Sequence, residues 1–239
     1  MSLAENGQAG ECLRFWAFPR TCVILGRAGQ WQDDLNINEV RHDGVPVLQR
    51  FSGGGAVVQG PGCLDYSLIL SQEQRPELRD LKKSYAFILK AVASILEELG
   101  LETVVRPLSD LALKEGERKI SGNAQHRRRR WLLHHGTILL DYDVSLMERY
   151  LRMPRKIPEY RKNRPHAEFV ANTGLRADAV KAAFQKYFRV HAASQNPTSL
   201  EKEHLSRLVS RHGPELCVDK GPQEFSLEET LLTPVVGAV

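Results

Sequence analysis

Arg50-Phe51-Ser52-Gly53-Gly54-Gly55-Ala56-Val57-Val58 decides how this chain is read. Val45 to Arg50 is β-branched and apolar and reads as a strand, and Ala56 to Val58 resumes the same pattern directly after the glycines. The glycines therefore lie between two strands, not between a strand and a helix. Three consecutive glycines cost backbone entropy, so a stable fold keeps them for close approach of main chain to a ligand or for a bulged turn. Arg50, two residues before Ser52, adds a guanidinium suited to a carboxylate or phosphate.

Working outward, Leu13 to Phe18 and Thr21 to Leu25 read as short strands separated by Pro19. Gly26, Gly29 and Asp33-Asp34 mark a loop. Asp65 to Leu70 is a further strand. Between Leu78 and Leu99, Tyr85, Ile88, Val92, Ile95 and Leu99 recur at spacings of three and four, which predicts a helix ended by Gly100. Val104-Val105, Leu111 to Leu113, Lys119 to Ala124 and Trp131 to Leu140 read as four strands. Val144 to Leu151, Arg176 to Phe188 and Leu200 to His212 read as helices, and Pro154 to Pro165 as basic and irregular. Strands, one long helix, more strands and then helices predict an α+β fold with a mixed or antiparallel sheet and packed helices. The expected organisation is a single catalytic domain over 1–239, with a core of about 11–190 and a helical, partly irregular tail over 191–239.

The chain has 239 residues, 42% hydrophobic and 26% charged, enough for one sizeable core. No apolar run is long enough to span a bilayer and the start lacks a signal pattern, so the reading is cytoplasmic, with no membrane partner. Cys12, Cys22, Cys63 and Cys217 are scattered, without metal-ligand spacing, and read as free thiols, so no metal site is expected. A net charge of +4 does not demand nucleic acid. The Arg127–Arg130 run could bind phosphates, but it lacks interleaved aromatics and reads first as a solvated turn. The same arginines could steer an acidic protein partner.

Two further segments carry candidate chemistry. In Lys119-Ile120-Ser121-Gly122-Asn123-Ala124-Gln125, strand alternation puts Lys119 and Ser121 on one face. In His134-His135-Gly136-Thr137-Ile138-Leu139-Leu140 the two histidines face opposite sides and cannot share a metal. Alone, the lysine reads as solvent-facing and His135 as a satisfied strand histidine.

Taken together and in order, the Arg-x-Ser-Gly-Gly-Gly-Ala-Val, Lys-x-Ser-Gly-x-Ala-Gln and His-His-Gly-Thr-x-Leu-Leu segments closely resemble the biotin/lipoate ligase family, and within it the lipoate–protein ligases. Ser109-Asp110-Leu111 resembles that family's Asn-Asp-Leu segment. The resemblance implies a class II synthetase-like catalytic domain that uses ATP, arriving with Mg2+, to convert lipoate or octanoate to an acyl-adenylate. It then passes the acyl group to a lysine of a lipoyl carrier domain, such as 2-oxoacid dehydrogenase E2 or the glycine-cleavage H protein. By position it implies Lys119 as the catalytic residue. Arg50, Ser52, Gly53, Gly54, Gly55, Ala56, Val57, Val58, Gln59, Asp110, Ser121, Gly122, Ala124, His135, Gly136 and Thr137 would contact the ligands. Gly122 and Ala124 would leave room for them. Gln59-Gly60 departs from the family's His-Asp, and Gln49 and Phe51 flank Arg50 where relatives carry a second arginine. The cysteine positions of related acyltransferases are unfilled, which favours a ligase over a transferase fed by a preformed donor. A non-catalytic acyl-binding paralogue is a further alternative. A separate accessory subunit is expected from length alone.

Overall fold

A computed structural model describes residues 1, 4, 6–7, 10–107, 109–190, 194–195, 198–203 and 235–236. An eight-stranded sheet divides the molecule. Its strands are β1 (Cys12–Trp16), β5 (Cys63–Ser71), β6 (Thr103–Arg106), β7 (Asp110–Leu113), β8 (Lys119–Arg127), β9 (Trp131–Leu139), β10 (Ser194–Gln195) and β11 (Val235–Val236). Their order is β10-β11-β1-β5-β9-β8-β7-β6, and every recorded pairing is antiparallel. A second sheet joins β2 (Cys22–Leu25), β3 (Val47–Gln49) and β4 (Val57–Gln59). There β2 runs parallel to β3 and antiparallel to β4. The expected α+β class with mixed and antiparallel sheets is what the chain forms.

Helices α3 (Leu81–Glu98) and α6 (Ala177–Tyr187) cover one face of the large sheet. The Asp80 side chain caps α3 by accepting from the Lys83 N–H at 2.7 Å. At the other end Gly100, at φ 84°, allows Leu101 N–H to reach back to the Leu96 carbonyl. A separate 3-10 turn, Pro76–Arg79, precedes the cap, so the single helix expected from Leu78 is divided at Asp80. The buried stripe Tyr85, Ile88, Leu89, Val92, Ile95 and Leu96 meets Leu68 and Leu70 of β5. Phe184 of α6 is fully buried, its ring edge-on to Phe15 at 5.4 Å and tilted against Tyr66 at 5.1 Å.

The small sheet packs on the opposite face, together with α1 (Trp31–Asp34), α2 (Ile37–His42), α4 (Ser145–Tyr150) and α5 (His166–Phe169). Gly26 to Asp34 is therefore not loop throughout, as read from the sequence. Trp31 begins a short helix whose end is held by the isolated bridge of Leu35 to Leu151. Val23, Leu25, Val47 and Val58 of the small sheet meet Cys63, Ala112 and Leu139 of the large one, and the candidate chemistry lies between these two sheets. In the tail, 194–195 and 235–236 are strands at the sheet edge. Most of the helix expected over Leu200 to His212 lies outside the described residues. No described helix is long and apolar enough to cross a membrane.

Phe184 joins α6 to the sheet. Phe184→Ala should cost roughly 3–5 kcal/mol by loss of transfer energy and creation of a cavity. Urea denaturation measures this, and a loss below about 1 kcal/mol would show that α6 contributes little to the fold.

Candidate active site

Four side-chain positions line up across the sheet, one per strand. Asp65 of β5 stands opposite Thr137 of β9, Thr137 opposite Gly122 of β8, and Gly122 opposite Asp110 of β7. Paired residues share a face, so this row spans roughly 14 Å on the side of the small sheet.

Lys119 joins the row through a defect in the strand. Leu111 pairs with Ser121 but Ala112 pairs with Lys119, so Ile120 is an extra residue in β8. Ile120 and Ser121 both turn to the helix side, and Lys119 falls on the same face as Gly122. The alternation that would put Lys119 and Ser121 together does not survive the bulge. Lys119 Nζ lies 2.7 Å from Asp110 Oδ1, and Asp110 Oδ2 accepts from the Tyr160 hydroxyl at 2.6 Å. Burial, then the neighbouring carboxylate, pushes the Tyr160 pKa up, so the phenol stays a donor. A Cβ at Gly122 would stand 2.9 Å from Lys119 Nζ and Cε. The missing side chain at Gly122 thus leaves space that the end of Lys119 occupies. Ala124 is buried on the same face, opposite His135.

The glycine segment is folded over Arg50. This guanidinium donates to Gly53 O and Gly55 O at 2.8 Å, to Ile24 O at 3.3 Å and to Ser52 Oγ at 3.1 Å. Arg50 is therefore the internal clamp of the loop, where the sequence assigns it to a ligand anion. Burial lowers its pKa to about 10, which leaves it cationic at neutral pH. Gly26 is required beneath the loop, because a Cβ there would meet Gly54 O at 1.9 Å. Gly53, Gly54 and Gly55 are exposed, Ala56 and Val57 half-buried, and Val58 lies in the core.

Ser52 is buried and its Oγ lies 2.7 Å from His135 Nε2, which ties the loop to β9. Burial, then Arg50, lowers the His135 pKa to about 4, so the ring is neutral at physiological pH. Gln59 is also buried. Its amide donates to Thr137 Oγ1 at 2.5 Å, and the Thr137 hydroxyl donates to Asp65 Oδ1 at 2.6 Å. Gln59 thus joins the two sheets.

Sequence reasoning missed Asp65 and Tyr160. Asp65 carries a weak signal, a carboxylate in an otherwise apolar strand. Tyr160 carries none, because it reaches Asp110 from fifty residues away. Burial raises the Asp65 pKa to about 7, and its Oδ2 has no hydrogen-bond partner among the described residues.

Ser121 and Gly136 belong to the helix side. Tyr66 donates to Asn123 Oδ1 at 2.6 Å, while Asn123 Nδ2 donates to Ser121 Oγ at 3.1 Å and to Ser109 O at 2.9 Å. A Cβ at Gly136 would lie 1.8 Å from Asn123 Oδ1, so the absence of a side chain here admits Asn123. His134 sits in the same buried network, beside Tyr66 and Gln125, on the face opposite His135. The motif around Lys119 therefore works on both faces, with the lysine in front and, behind it, amide bonds holding the strand turn before Asp110.

Arg127 is also turned inward, donating to Ser84 Oγ, Gln125 Oε1, Gln72 Oε1 and the Leu78 carbonyl. Only Arg128 and Arg129 of the arginine run are exposed. They sit beyond the far end of β8, which is roughly 26 Å from Lys119 at 3.3 Å per residue.

Lys119, paired with Asp110, and the glycine loop tied to His135 both lie on the small-sheet side of the large sheet. Residues 1–189 fit the family described as "Lipoyl protein ligase A/B catalytic domain". This chain belongs to that family. A relative from Aeropyrum pernix, named "Putative lipoate-protein ligase A", is 30% identical over 229 residues, covering 93% of this chain and 83% of that protein. One of the same name from Schizosaccharomyces pombe is 28% identical over 86% of this chain, which spans 55% of that longer protein. Among solved structures, a bi-partite lipoate protein ligase from Thermoplasma acidophilum, studied with its E2 lipoyl domain, is 25% identical. It superimposes with a TM-score of 0.71 over 84% of this chain and 80% of that one.

For this lipoyl ligase-family domain the Arg50 clamp yields one expectation. Lysine cannot reproduce a guanidinium fork, so Arg50→Lys should raise the rate of proteolytic cleavage and hydrogen exchange at Arg27, whose N–H is bonded to Ser52 O, by at least about tenfold, with little change in the global unfolding midpoint. Unchanged exchange would show that the loop is held by other means. Asp65 yields a second. Its folded pKa of about 7 exceeds the unfolded value, so the native state keeps a proton that the unfolded chain releases. Stability at this residue is lost as pH rises from about 4 to 7, by up to about 1.4 kcal/mol per pH unit. Asp65→Asn removes this dependence. Its stability advantage over the parent should widen between pH 5 and pH 8 in denaturant titrations, and a pH-independent difference would contradict the buried, protonated carboxyl.

Proposed function

We propose that this domain is an ATP-dependent lipoate–protein ligase. A lipoate or octanoate carboxylate oxygen attacks the α-phosphorus of Mg2+-bound ATP, and pyrophosphate leaves. The neutral ε-amine of a carrier lysine then attacks the acyl carbon of the mixed anhydride, forming the amide and releasing AMP. Both steps build negative charge that a fixed cation stabilises. The observation that carries the reading is Lys119, its ammonium 2.7 Å from Asp110 Oδ1, backed by Tyr160 and laid across Gly122. In this reading Lys119 holds the acid's carboxylate and the α-phosphate together. The exposed main chain of Gly53 to Gly55 faces the nucleotide and Ala56 and Val57 the acyl chain, whose burial contributes about 0.8 kcal/mol per methylene. Arg50, Ser52 and His135 keep that loop in place.

The thiols support a ligase over an acyltransferase working through a thioester. Such an enzyme needs an accessible thiolate. Burial pushes the Cys22 thiol up to about 12 and the Cys12 and Cys63 thiols up as well. Cys217 lies outside the described residues. The A. pernix relative, 30% identical across 93% of this chain, supports the ligase reading. The T. acidophilum ligase, described as bi-partite and paired with an E2 lipoyl domain, supports a lipoyl carrier as protein substrate.

The test incubates the purified chain with lipoate, ATP and Mg2+ and assays pyrophosphate and lipoyl-adenylate by mass spectrometry, then adds a lipoyl carrier domain. Adenylate should form and transfer. Lys119→Ala should reduce the rate by at least about 10²-fold, and a Cys12→Ala/Cys22→Ala/Cys63→Ala variant should remain active. Undiminished adenylation in Lys119→Ala would overturn the assignment. Full turnover by the chain alone, the expected outcome, would leave no requirement for the separate accessory subunit expected from length.

A further inference from the structure

Between α4 and α5 the chain runs as a strap along the rim beside Lys119. At its start Leu151 bridges Leu35, and Arg152 N–H donates to the Asp34 carbonyl at 2.9 Å. At its end Arg164 donates to Gly116 O at 3.0 Å and Glu117 O at 3.1 Å, gripping the turn that leads into Lys119. In the middle Tyr160 reaches down to Asp110. Anchored in this way, the strap presents a fixed outer surface. Met153 is 42% exposed and Ile157 40%, and Arg152, Lys156 and Lys162 are exposed around them. Arg155 pairs with Asp33, whereas Arg152, Lys156 and Lys162 have no ion-pair partner among the described residues. Glu159 is the one exposed carboxylate between residues 152 and 163.

We propose that this strap is the docking surface for the protein substrate, and that it recognises an acidic face with an apolar centre next to the acceptor lysine. The inference rests on the ligase reading, in which the attacking amine belongs to a folded domain. A domain that brings its lysine to the Lys119–Asp110 pair arrives beside the strap, because Tyr160 of the strap holds Asp110. Arg152 donates to the Gln32 carbonyl at 3.2 Å but, like Lys156 and Lys162, has no carboxylate beside it among the described residues, so carboxylates on a partner would complement all three. Rim charges of this kind govern chiefly the association rate and its salt dependence, while central apolar side chains govern residence time. The distant Arg128–Arg129 turn, which the sequence offered for steering, takes no part.

The experiment measures association of the full chain with an unmodified lipoyl carrier domain, without ATP, at low and moderate salt. Three variants are compared: Arg152→Glu/Lys156→Glu, Met153→Ser/Ile157→Ser, and Arg128→Glu/Arg129→Glu. The first should slow association by at least about tenfold and flatten its salt dependence, the second should speed dissociation, and the third should behave as the parent. Carrier-free adenylation should be unaltered in all three, which establishes that they fold. Parental binding by both strap variants, an equal loss in the distal variant, or no carrier binding by the parent would overturn the proposal. Absence of adenylation in the parent would instead count against the ligase reading, and the binding experiment does not depend on it.

Discussion

The bulge at Ile120 is the constraint on which the candidate site depends. An undistorted β8 would send Lys119 to the same side as Ser121, under the helices, where a buried ammonium without a carboxylate is costly. One inserted residue reverses the lysine's face and leaves everything after it in register, so Gly122, Thr137 and Asp65 stay in one row. It also brings Lys119 against Gly122, the one neighbouring position on that face with no side chain to exclude it.

Around this point the protein uses polar groups mainly to hold polar groups. Tyr160 fixes Asp110, which fixes Lys119. Arg50 fixes the glycine loop through its carbonyls, and Ser52 joins that loop to His135. On the far face Asn123 holds the Ser109 carbonyl beside Asp110. A site arranged in this way meets its ligand with donors already oriented, the condition under which electrostatic stabilisation is effective. Among the described residues, burial disfavours the thiolates of Cys12, Cys22 and Cys63 and keeps His135 neutral.

Much of this was legible in the residues. Period-three and period-four spacing located α3, alternation located the strands, and three short motifs in order identified the family and its central lysine. Individual roles were less legible. Arg50, Gln59, Gly122 and Gly136 have the composition of ligand contacts, yet each is engaged by the protein itself. Their partners are Gly53 and Gly55, Thr137, Lys119 and Asn123. Motif spacing records which residues a family keeps together. It does not distinguish a group that touches the ligand from one that shapes the loop around it.

The sequence by itself determined the fold class, the family and the position of the lysine, because these depend on local periodicity and on residue order within single segments. Tertiary structure alone decided which face Lys119 occupies, that Tyr160 completes its anchor, that Asp65 is buried with a raised pKa, and that residues 151–164 frame the site. Each of those depends on pairing between strands or on contacts across tens of residues. Burial and the direction of a side chain are set there by neighbours that no local pattern specifies.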